Sequence, residues 1–303
     1  TCIAMQGRTR FWLSLLLLLC VGCGPRSQGD LGNEPDAPTP VGAEAWGEEF
    51  EPRTTGTIQG GVTWKGPLPY VPPFQVHPYL DYVNASRLHG EYANPHAPAI
   101  DAASRGVADV LVVLHRVNPA QAKPWSHAPV TVEMQPDALT VLQGNERRRL
   151  GIVGRGAEVA FVVRDADFHI LRARGSAFFS LPFVKADQPM SRRLDKAGIV
   201  ELSEGAGCYW RRAHLIVLDH PYAAVTDRNG QFVLDQVPAG TYRLTAWLPN
   251  WHVERREHEP ETAIISRISF APAVELEQTI AVTAGQSTAA EFVFSSNQFD
   301  KRR

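Results

Sequence analysis

Short apolar runs separated by glycine and proline constrain this chain more than any other feature of its sequence. The segments 107–114, 158–163 and 277–282 are rich in Val, Ile and Leu and are bounded by turn residues. Glycine (24) and proline (23) recur throughout the 303 residues. Beyond residue 23 no segment shows the period of a helix of ordinary length. We therefore predict an all-β fold made of β-sandwiches.

The start of the chain predicts export. A basic stretch precedes an apolar run that ends at Leu19, and this run is too short to span a bilayer. Val21-Gly22-Cys23 follows it and resembles the lipobox of bacterial lipoproteins. The resemblance implies that Cys23 becomes the lipidated first residue of an envelope protein. Gly24 rather than Asp after it favours the outer membrane over the inner.

Composition predicts five segments along the chain. Residues 24–53 form an acidic linker that is rich in proline and glycine and poor in apolar residues. Burial therefore cannot offset the entropy of ordering this linker, and we predict that it is disordered. The sequence leaves open whether residues 119–216 are a separate domain or an insertion into one sandwich. The segments are a signal peptide (1–23), the linker (24–53), N-terminal strands with a long loop (54–118), one complete sandwich (119–216) and another complete sandwich (217–296).

Charge and missing motifs exclude several classes of function. The formal net charge of -2 removes the main attraction for nucleic acid, so no nucleic-acid partner is predicted. Cys208 is the only cysteine after residue 23, so the mature chain cannot form an internal disulfide. The sequence has no Gly-x-Ser-x-Gly, no His-Glu-x-x-His and no phosphate loop. We predict that the protein is not an enzyme.

A turn is predicted at 227–230, where Asn229-Gly230 favours a positive φ at the glycine of a hairpin. Apolar residues then alternate along two strands joined by a second turn. We predict that these side chains face one core together with Val217 and the strand 107–114. The alternating residues are Phe232, Leu234, Tyr242 and Leu244.

The segment 226–247 resembles the carboxypeptidase regulatory-like domain. The resemblance is carried by Thr-Asp-Arg-Asn-Gly-Gln-Phe at 226–232 and Val-Pro-Ala-Gly-Thr-Tyr at 237–242. It implies an Ig-like or transthyretin-like sandwich that acts as an accessory module without catalytic residues.

The middle segment resembles cupredoxins. A polar turn after a strand ends in His169, and a loop late in the segment carries Cys208 and His214. The resemblance implies these three residues as copper ligands, since thiolate and imidazole suit that metal. Arg211 and Arg212 stand where further ligands would be needed, and fixed positive charges oppose a cation. We expect a degenerate cupredoxin-like sandwich without a cofactor, with copper handling or electron transfer as the alternative function.

Two further features are candidates for binding. The cluster Arg147–Arg149 is interpreted as a solvated turn rather than an anion site. Trp251 and His252 lie beyond a predicted strand and could form an exposed surface for a glycan or peptide. The main hypothesis is a non-enzymatic, lipid-anchored envelope protein with a binding or scaffolding role. Its partners would be the membrane, through Cys23, and an envelope protein or a glycan.

Overall fold

A computed structural model describes residues 49–76, 90–205, 208–258, 260 and 265–299. The predicted signal peptide, Cys23 and nearly all of the predicted linker lie outside the described residues. Within the described ranges, no helix has the length and apolar character that crossing a bilayer requires.

The all-β prediction is confirmed, since strands and turns account for most of the described chain. Its helical parts are single 3-10 turns at Pro52–Thr54, Pro119–Gln121 and Ser296–Gln298. The strands are, in chain order, β1 (Thr55–Lys65), β2 (Phe74–Val76), β3 (Gly90–Tyr92), β4 (Ala99–Ile100), β5 (Val107–Ala108), β6 (Leu111–His115), β7 (Val130–Met134), β8 (Leu139–Gln143), β9 (Glu146–Arg148), β10 (Leu150–Gly154), β11 (Glu158–Val163), β12 (His169–Gly175), β13 (Phe179–Phe183), β14 (Met190–Arg193), β15 (Gly198–Glu204), β16 (Arg212–Leu218), β17 (Ala223–Val225), β18 (Gln231–Pro238), β19 (Gly240–Leu248), β20 (Val253–His258), β21 (Ile265–Phe270), β22 (Val274–Val282) and β23 (Ser287–Ser295).

The first sandwich is built from both ends of the described chain. One of its sheets has the order β18-β1-β23 and the other β17-β6-β19-β22. Their inward residues share one core, to which Ile58, Val112, Leu244 and Phe294 belong. The predicted segments 54–118 and 217–296 therefore supply a single sandwich between them.

The second sandwich is an insertion into the first. Its sheets have the orders β10-β16-β15-β12-β13 and β14-β11-β7-β8-β9. Residues such as Val132, Phe161, Leu171 and Leu215 form its own core. The strands β7 to β16 lie between β6 and β17 of the first sandwich in the chain, so the segment 119–216 is an insertion that carries a core of its own.

A smaller apolar cluster joins the two sandwiches. Side chains alternate along a strand, so the faces of β6 and β16 that turn away from their own cores remain available for contact. Leu111 and Val113 of β6 and Ile216 of β16 are buried in this cluster, together with Leu150 and Trp247. The two sandwiches therefore pack sheet against sheet.

The turn at 227–230 has the predicted backbone but connects different strands from those expected. Gly230 has φ 77°, as predicted. The strands on either side do not pair with each other, because β17 pairs with β6 and β18 pairs with β1. The turn thus crosses between the two sheets of the first sandwich, and the hairpin prediction is corrected. Phe232, Leu234 and Leu244 share the first core, but Val217 lies in the second.

Candidate functional site

A cleft between the sandwiches is the candidate site. His214 stands on β16 between two residues of the second core, Ala213 and Leu215, so it faces outward from that core. There its ring centroid lies 5.2 Å from that of Trp247 on β19 and 5.2 Å from that of His96, in the loop before β4. We call this region, with the arginines around it, the inter-sandwich cleft.

His96 carries a buried acceptor without a described hydrogen-bond partner. Its Nδ1 lies 2.9 Å from the carbonyl oxygen of Asn250, which can only accept, so Nδ1 carries the proton and donates it. Burial, and then the neighbouring His214, hold the pKa of His96 well below its usual value, so the ring is neutral and Nε2 carries a lone pair. His96 is 5% exposed, and its Nε2 has no hydrogen-bond partner among the described residues.

The first of two cavities in the cleft has a volume of about 370 Å³ and is rich in arginine. Arg147 lies 3.0 Å from Glu133, and Arg148 lies 2.9 Å from Asp109, so both have carboxylate partners. Arg149 donates from Nη1 to the carbonyl oxygen of Pro95 at 3.1 Å. No carboxylate of the described residues lies within 4.0 Å of Arg149.

Arg149 therefore holds an uncompensated positive charge. Burial lowers the pKa of its guanidinium, although Asp109 and Asp137 at longer range act in the opposite direction. Arginine stays protonated in proteins regardless, so a charge that has lost part of its water remains without a matched anion.

The second cavity, of about 390 Å³, adjoins the first, and His96, His214 and Trp247 line both cavities. Its own arginines are Arg174 of β12 and Arg267 of β21. Among the described carboxylates, Glu257 lies 3.6 Å from Arg267, whereas none lies within 4.0 Å of Arg174. The cross-strand neighbour of Arg174 is Glu201, whose carboxylate is bound by Arg212 instead.

Sequence reasoning missed most of this site. The sequence singles out His214 only as a copper ligand, and the interpretation of the cluster Arg147–Arg149 as a solvated turn needs correction. Arg147 and Arg148 belong to β9, and Arg149 follows it half-buried against the first cavity. No sequence pattern links His96, His214 and Trp247 to one another. They are far apart in sequence and come together only when the two sandwiches pack.

The structure does not bring the three predicted copper ligands together. His169 lies on the face of its sheet that carries Leu171 of the second core, whereas His214 faces the cleft on the opposite side of the same sheet. Cys208 is buried in a separate apolar cluster with Phe74. Nowhere in the described ranges do three or more His, Cys, Asp or Glu side chains converge as metal ligands would.

His169 instead belongs to a buried ionic cluster. Its Nδ1 lies 2.8 Å from Glu204 and its Nε2 lies 2.5 Å from Asp165. Arg211 binds the other oxygen of Glu204 and donates to the carbonyl oxygen of Pro136. Burial lowers the pKa of His169, but the two carboxylates outweigh burial and raise it above its usual value. Opposite charges balance one another here, so the cluster is a structural feature of the second sandwich.

The predicted surface at Trp251 and His252 is also corrected. Trp251 is 6% exposed, and its ring stacks on Phe299 with 4.3 Å between centroids. The ring centroid of Trp64 lies 6.1 Å from that of Trp251. His252 is half-buried, with its ring 5.3 Å from that of Trp251. Trp251 is thus part of the first core and offers no exposed face for a ligand.

These features define an all-β protein of two sandwiches with a basic cleft between them. A family model described as polysaccharide lyase family 4, domain II, matches residues 192–290. The matched range contains His214 and Trp247 of the cleft but not Arg149 or Arg174. No curated protein matches the chain. The predicted carboxypeptidase regulatory-like assignment stays a prediction.

The chain is also similar to solved cupredoxin structures. A mutant of amicyanin in its Cu(I) form is 14% identical, over 35% of this chain and 98% of that chain, with a TM-score of 0.24. The copper-containing nitrite reductase NirK from Thermus scotoductus is 16% identical, over 35% of this chain and 25% of that chain, with a TM-score of 0.25. Likeness at this level carries no argument about copper in this chain, and copper binding stays a prediction without a described ligand set.

Proposed function

We propose that this protein is an exported, lipid-anchored binding protein without catalytic activity, and that it captures an anionic ligand in the inter-sandwich cleft. The observation that carries the proposal is Arg149, a half-buried guanidinium with no carboxylate among the described residues within 4.0 Å. Partial burial of a charge costs free energy unless an opposite charge and hydrogen bonds compensate for it. A carboxylate or a similar anion fits the planar guanidinium and would supply both.

The lining of the cleft supports binding rather than catalysis. The described residues around both cavities include no Ser, Cys or Lys that could act as a nucleophile. Burial lowers the pKa of His214 to about 4, which makes that imidazole a weak base near neutral pH. The carboxylates that line the cavities, Asp109 and Glu201, are engaged by Arg148 and Arg212, so the charge that the cleft leaves unmatched is positive.

A sugar acid is the favoured ligand. The description of the family model that matches residues 192–290 names a polysaccharide lyase. From that description we infer that the ligand is a carbohydrate. The chemistry of the cleft agrees. A sugar acid offers a carboxylate to Arg149 and hydroxyl groups that can hydrogen-bond to other polar side chains lining the same cavity, such as Thr140.

Binding of a small acid tests the proposal. The protein in neutral detergent is titrated with sodium glucuronate by calorimetry, with sodium chloride at the same ionic strength as the reference. Arg149→Gln removes the charge and keeps a polar side chain, and we expect it to weaken binding about tenfold or more. Arg192→Gln is the matched control, because Arg192 is exposed on β14 and lines neither cavity. Equal binding by the parent and Arg149→Gln would contradict the proposal.

The lipid anchor has its own test. We propose that Cys23 is acylated after cleavage of the signal peptide and holds the protein to the envelope, preferably at the outer membrane. The acidic linker after Cys23 would leave the folded part free to reach ligands outside that membrane. Cys23→Ser should move the protein from the membrane fraction to the soluble periplasmic fraction. Unchanged fractionation would show that something other than Cys23 anchors the chain.

A further inference from the structure

We propose that the protein forms a symmetric dimer in which the open edge of β22 pairs with β22 of a second copy, antiparallel about Gln278. The surface involved lies outside the inter-sandwich cleft, since no residue of β22 lines either cavity. The partner that this surface fits, a second copy of the same chain, is therefore independent of any ligand in the cleft.

β22 is a long edge strand with an open side. It has nine residues and ends the sheet β17-β6-β19-β22. An unpaired edge presents backbone N–H and C=O groups to which another strand can bind. Other edges of the described sandwiches carry protection. Pro182 removes an N–H from β13, and the side-chain amide of Gln143 bonds both backbone groups of Ile152 on β10. β22 has no proline, and no described side-chain amide bonds to its backbone in this way.

The register of the sheet determines which residues of β22 present their backbone groups at the open edge. The N–H of Leu114 on β6 donates to the carbonyl oxygen of Tyr222 at 3.1 Å, so the next residue, Val113, turns its backbone groups to β19 instead. The same alternation across β19 turns Gln278 and the other even-numbered residues of β22 towards β19. The residues that face outward are Glu275, Glu277, Thr279 and Ala281.

Most of these outward backbone groups are free for pairing. Within the described part of the chain, no residue hydrogen-bonds to the outward backbone groups of Glu275, Glu277 or Thr279. The carbonyl oxygen of Ala281 accepts from Oγ1 of Thr288 at 3.2 Å, which occupies one acceptor at the end of the row. The edge therefore offers a nearly complete set of donors and acceptors to a second strand.

The sequence of β22 is complementary to itself in one antiparallel register. Pairing about Gln278 uses all four outward residues and places Glu277 opposite Thr279 of the second copy, and Glu275 opposite Ala281. No glutamate then faces a glutamate. Pairing about Glu277 would bring the two copies of that residue together, and like charges directly opposite each other destabilise a strand pair.

The inner face of β22 favours the same register. Val274 and Leu276 pack against the first core but stay only partly buried at the end of the sheet. Pairing about Gln278 places Leu276 opposite Ile280 of the second copy, and Val274 opposite Val282. The dimer would thus continue the apolar layer from one copy to the other and cover apolar surface that a single copy leaves exposed.

The size of the interface sets the expected affinity. Four pairs of outward residues form in this register, and each exchanges two backbone hydrogen bonds. One strand pair buries less than the roughly 1,200 Å² of a stable interface, so the dimer should be reversible. Sedimentation equilibrium of the full chain in density-matched neutral detergent should show monomer and dimer exchanging with a Kd in the micromolar range.

Cysteine cross-linking tests the register. Gln278 meets its own copy in a pair without backbone hydrogen bonds, where Cα atoms lie about 4.5 Å apart, within reach of a disulfide. Gln278→Cys should therefore give a disulfide-linked dimer on mild oxidation. Thr279→Cys is the matched control, because its two copies would lie about 9 Å apart, beyond the limit of about 7 Å. Thr279 is the more exposed of the two, so random collisions would favour the control instead.

A mixture of variants tests the same register without changing Gln278. Glu277→Cys and Thr279→Cys should cross-link to each other when the two proteins are mixed, and neither should cross-link to itself. The parent, which keeps its own cysteines, supplies the background.

Charge variants test the energetics of the pair. Thr279→Glu places two glutamates opposite each other and should weaken the dimer about fivefold or more, whereas Thr279→Lys should strengthen it by a similar factor. Gln59→Glu is the control, because Gln59 is exposed on β1, in the middle of the other sheet of the same sandwich. Thermal melts show which variants keep the parent fold.

The outcomes separate the dimer from the proposed function. If the parent stays monomeric well above micromolar concentrations, or if Thr279→Cys cross-links as readily as Gln278→Cys, the β22 dimer is wrong. A dimer that Thr279→Glu leaves unchanged would place the contact on another surface and equally overturn it. None of these results bears on anion binding in the cleft, for which Arg149→Gln is the test.

Discussion

Two buried histidines in the second sandwich respond to their surroundings in opposite ways. His169 lies between the carboxylates of Glu204 and Asp165, which raise its pKa in spite of burial. His214 faces the inter-sandwich cleft, where burial lowers its pKa to about 4 in spite of Glu201. Residue type alone therefore says nothing about which of the two is charged at neutral pH.

These shifts predict a maximum of stability near the ordinary histidine pKa of about 6.5. His169 has a raised pKa, so its contribution is complete below that value and is lost as the pH rises through its folded pKa. His214 has a lowered pKa, so its neutral form stabilises the fold above that value and loses this effect as the pH falls towards about 4. The free energy of unfolding, measured with urea across this range, should fall on both sides.

Variants separate the two sides of this profile. His169→Gln should flatten the decline on the alkaline side. His214→Phe should reduce the decline on the acidic side, to which the other histidines whose pKa is lowered by burial also contribute. His258→Gln is the control, because His258 is exposed on β20 and should leave both slopes as they are. An alkaline decline that persists in His169→Gln would show that the ionic cluster is not its source.

At the scale of elements, the turn between β17 and β18 depends on one glycine. Gly230 has φ 77°, and a Cβ there would lie 2.2 Å from the carbonyl oxygen of Val62 and 2.8 Å from the amide nitrogen of Val107. Both contacts are backbone and cannot move aside cheaply. We expect Gly230→Ala to lower the free energy of unfolding by about 2–4 kcal/mol, as measured by urea denaturation.

Gly285 provides the matched control for that substitution. It has φ 70°, but a Cβ there would meet nothing within 4 Å. Gly285→Ala should therefore show the cost of the positive φ alone, about 1 kcal/mol. If the two variants lose the same stability, close packing of the turn against β1 has no energetic role.

The sequence predicts individual strands well and their partners poorly. The prediction for 158–163 coincides with β11, because a β-branched run bounded by turn residues is a local signal. The run 107–114 is instead divided into β5 and β6 at Asp109, which has φ 58°. The pairing of β17 with β6, and the burial of Trp251, depend on contacts between distant segments that no local pattern encodes.

The candidate site likewise depends on contacts between distant segments that the sequence does not predict. Arg149 is visible in the sequence as part of a basic cluster, but its role depends on a cavity that His96, His214 and Trp247 also line. These residues come from both sandwiches, so their convergence follows from how the inserted sandwich packs on its host. Cys208 and His169 had the more suggestive sequence pattern, yet the structure places them in separate clusters.

At the scale of the whole molecule, the joining cluster should make the two sandwiches unfold together. Ile216 is 2% exposed and belongs to this cluster rather than to either sandwich core. Ile216→Ala should lower the free energy of unfolding by about 2–4 kcal/mol through lost burial and a cavity. Hydrogen exchange should then show weaker protection in strands of both sandwiches, including β6 and β16.

Leu181→Ala is the comparison for Ile216→Ala, because Leu181 is fully buried in the second core alone. If the molecule is one cooperative unit, each variant should unfold in a single transition by every probe. Two separated transitions in the parent would show that the inserted sandwich unfolds independently, and the joining cluster would then be a weak contact.

The parallel pairing of β1 with β23 has a mechanical consequence. Thr57 lies opposite Ser287 at the start of the pair, and Lys65 lies opposite Ser295 at its end. A pull on the chain before β1, against a load on the chain after β23, would act along the two strands in opposite directions. All the hydrogen bonds between them would then be loaded in shear at once rather than opened one by one. In a chain anchored at Cys23, as we propose, a force transmitted through the anchor would reach β1 first. The β1–β23 pair would then be loaded in shear, the direction in which its hydrogen bonds resist together.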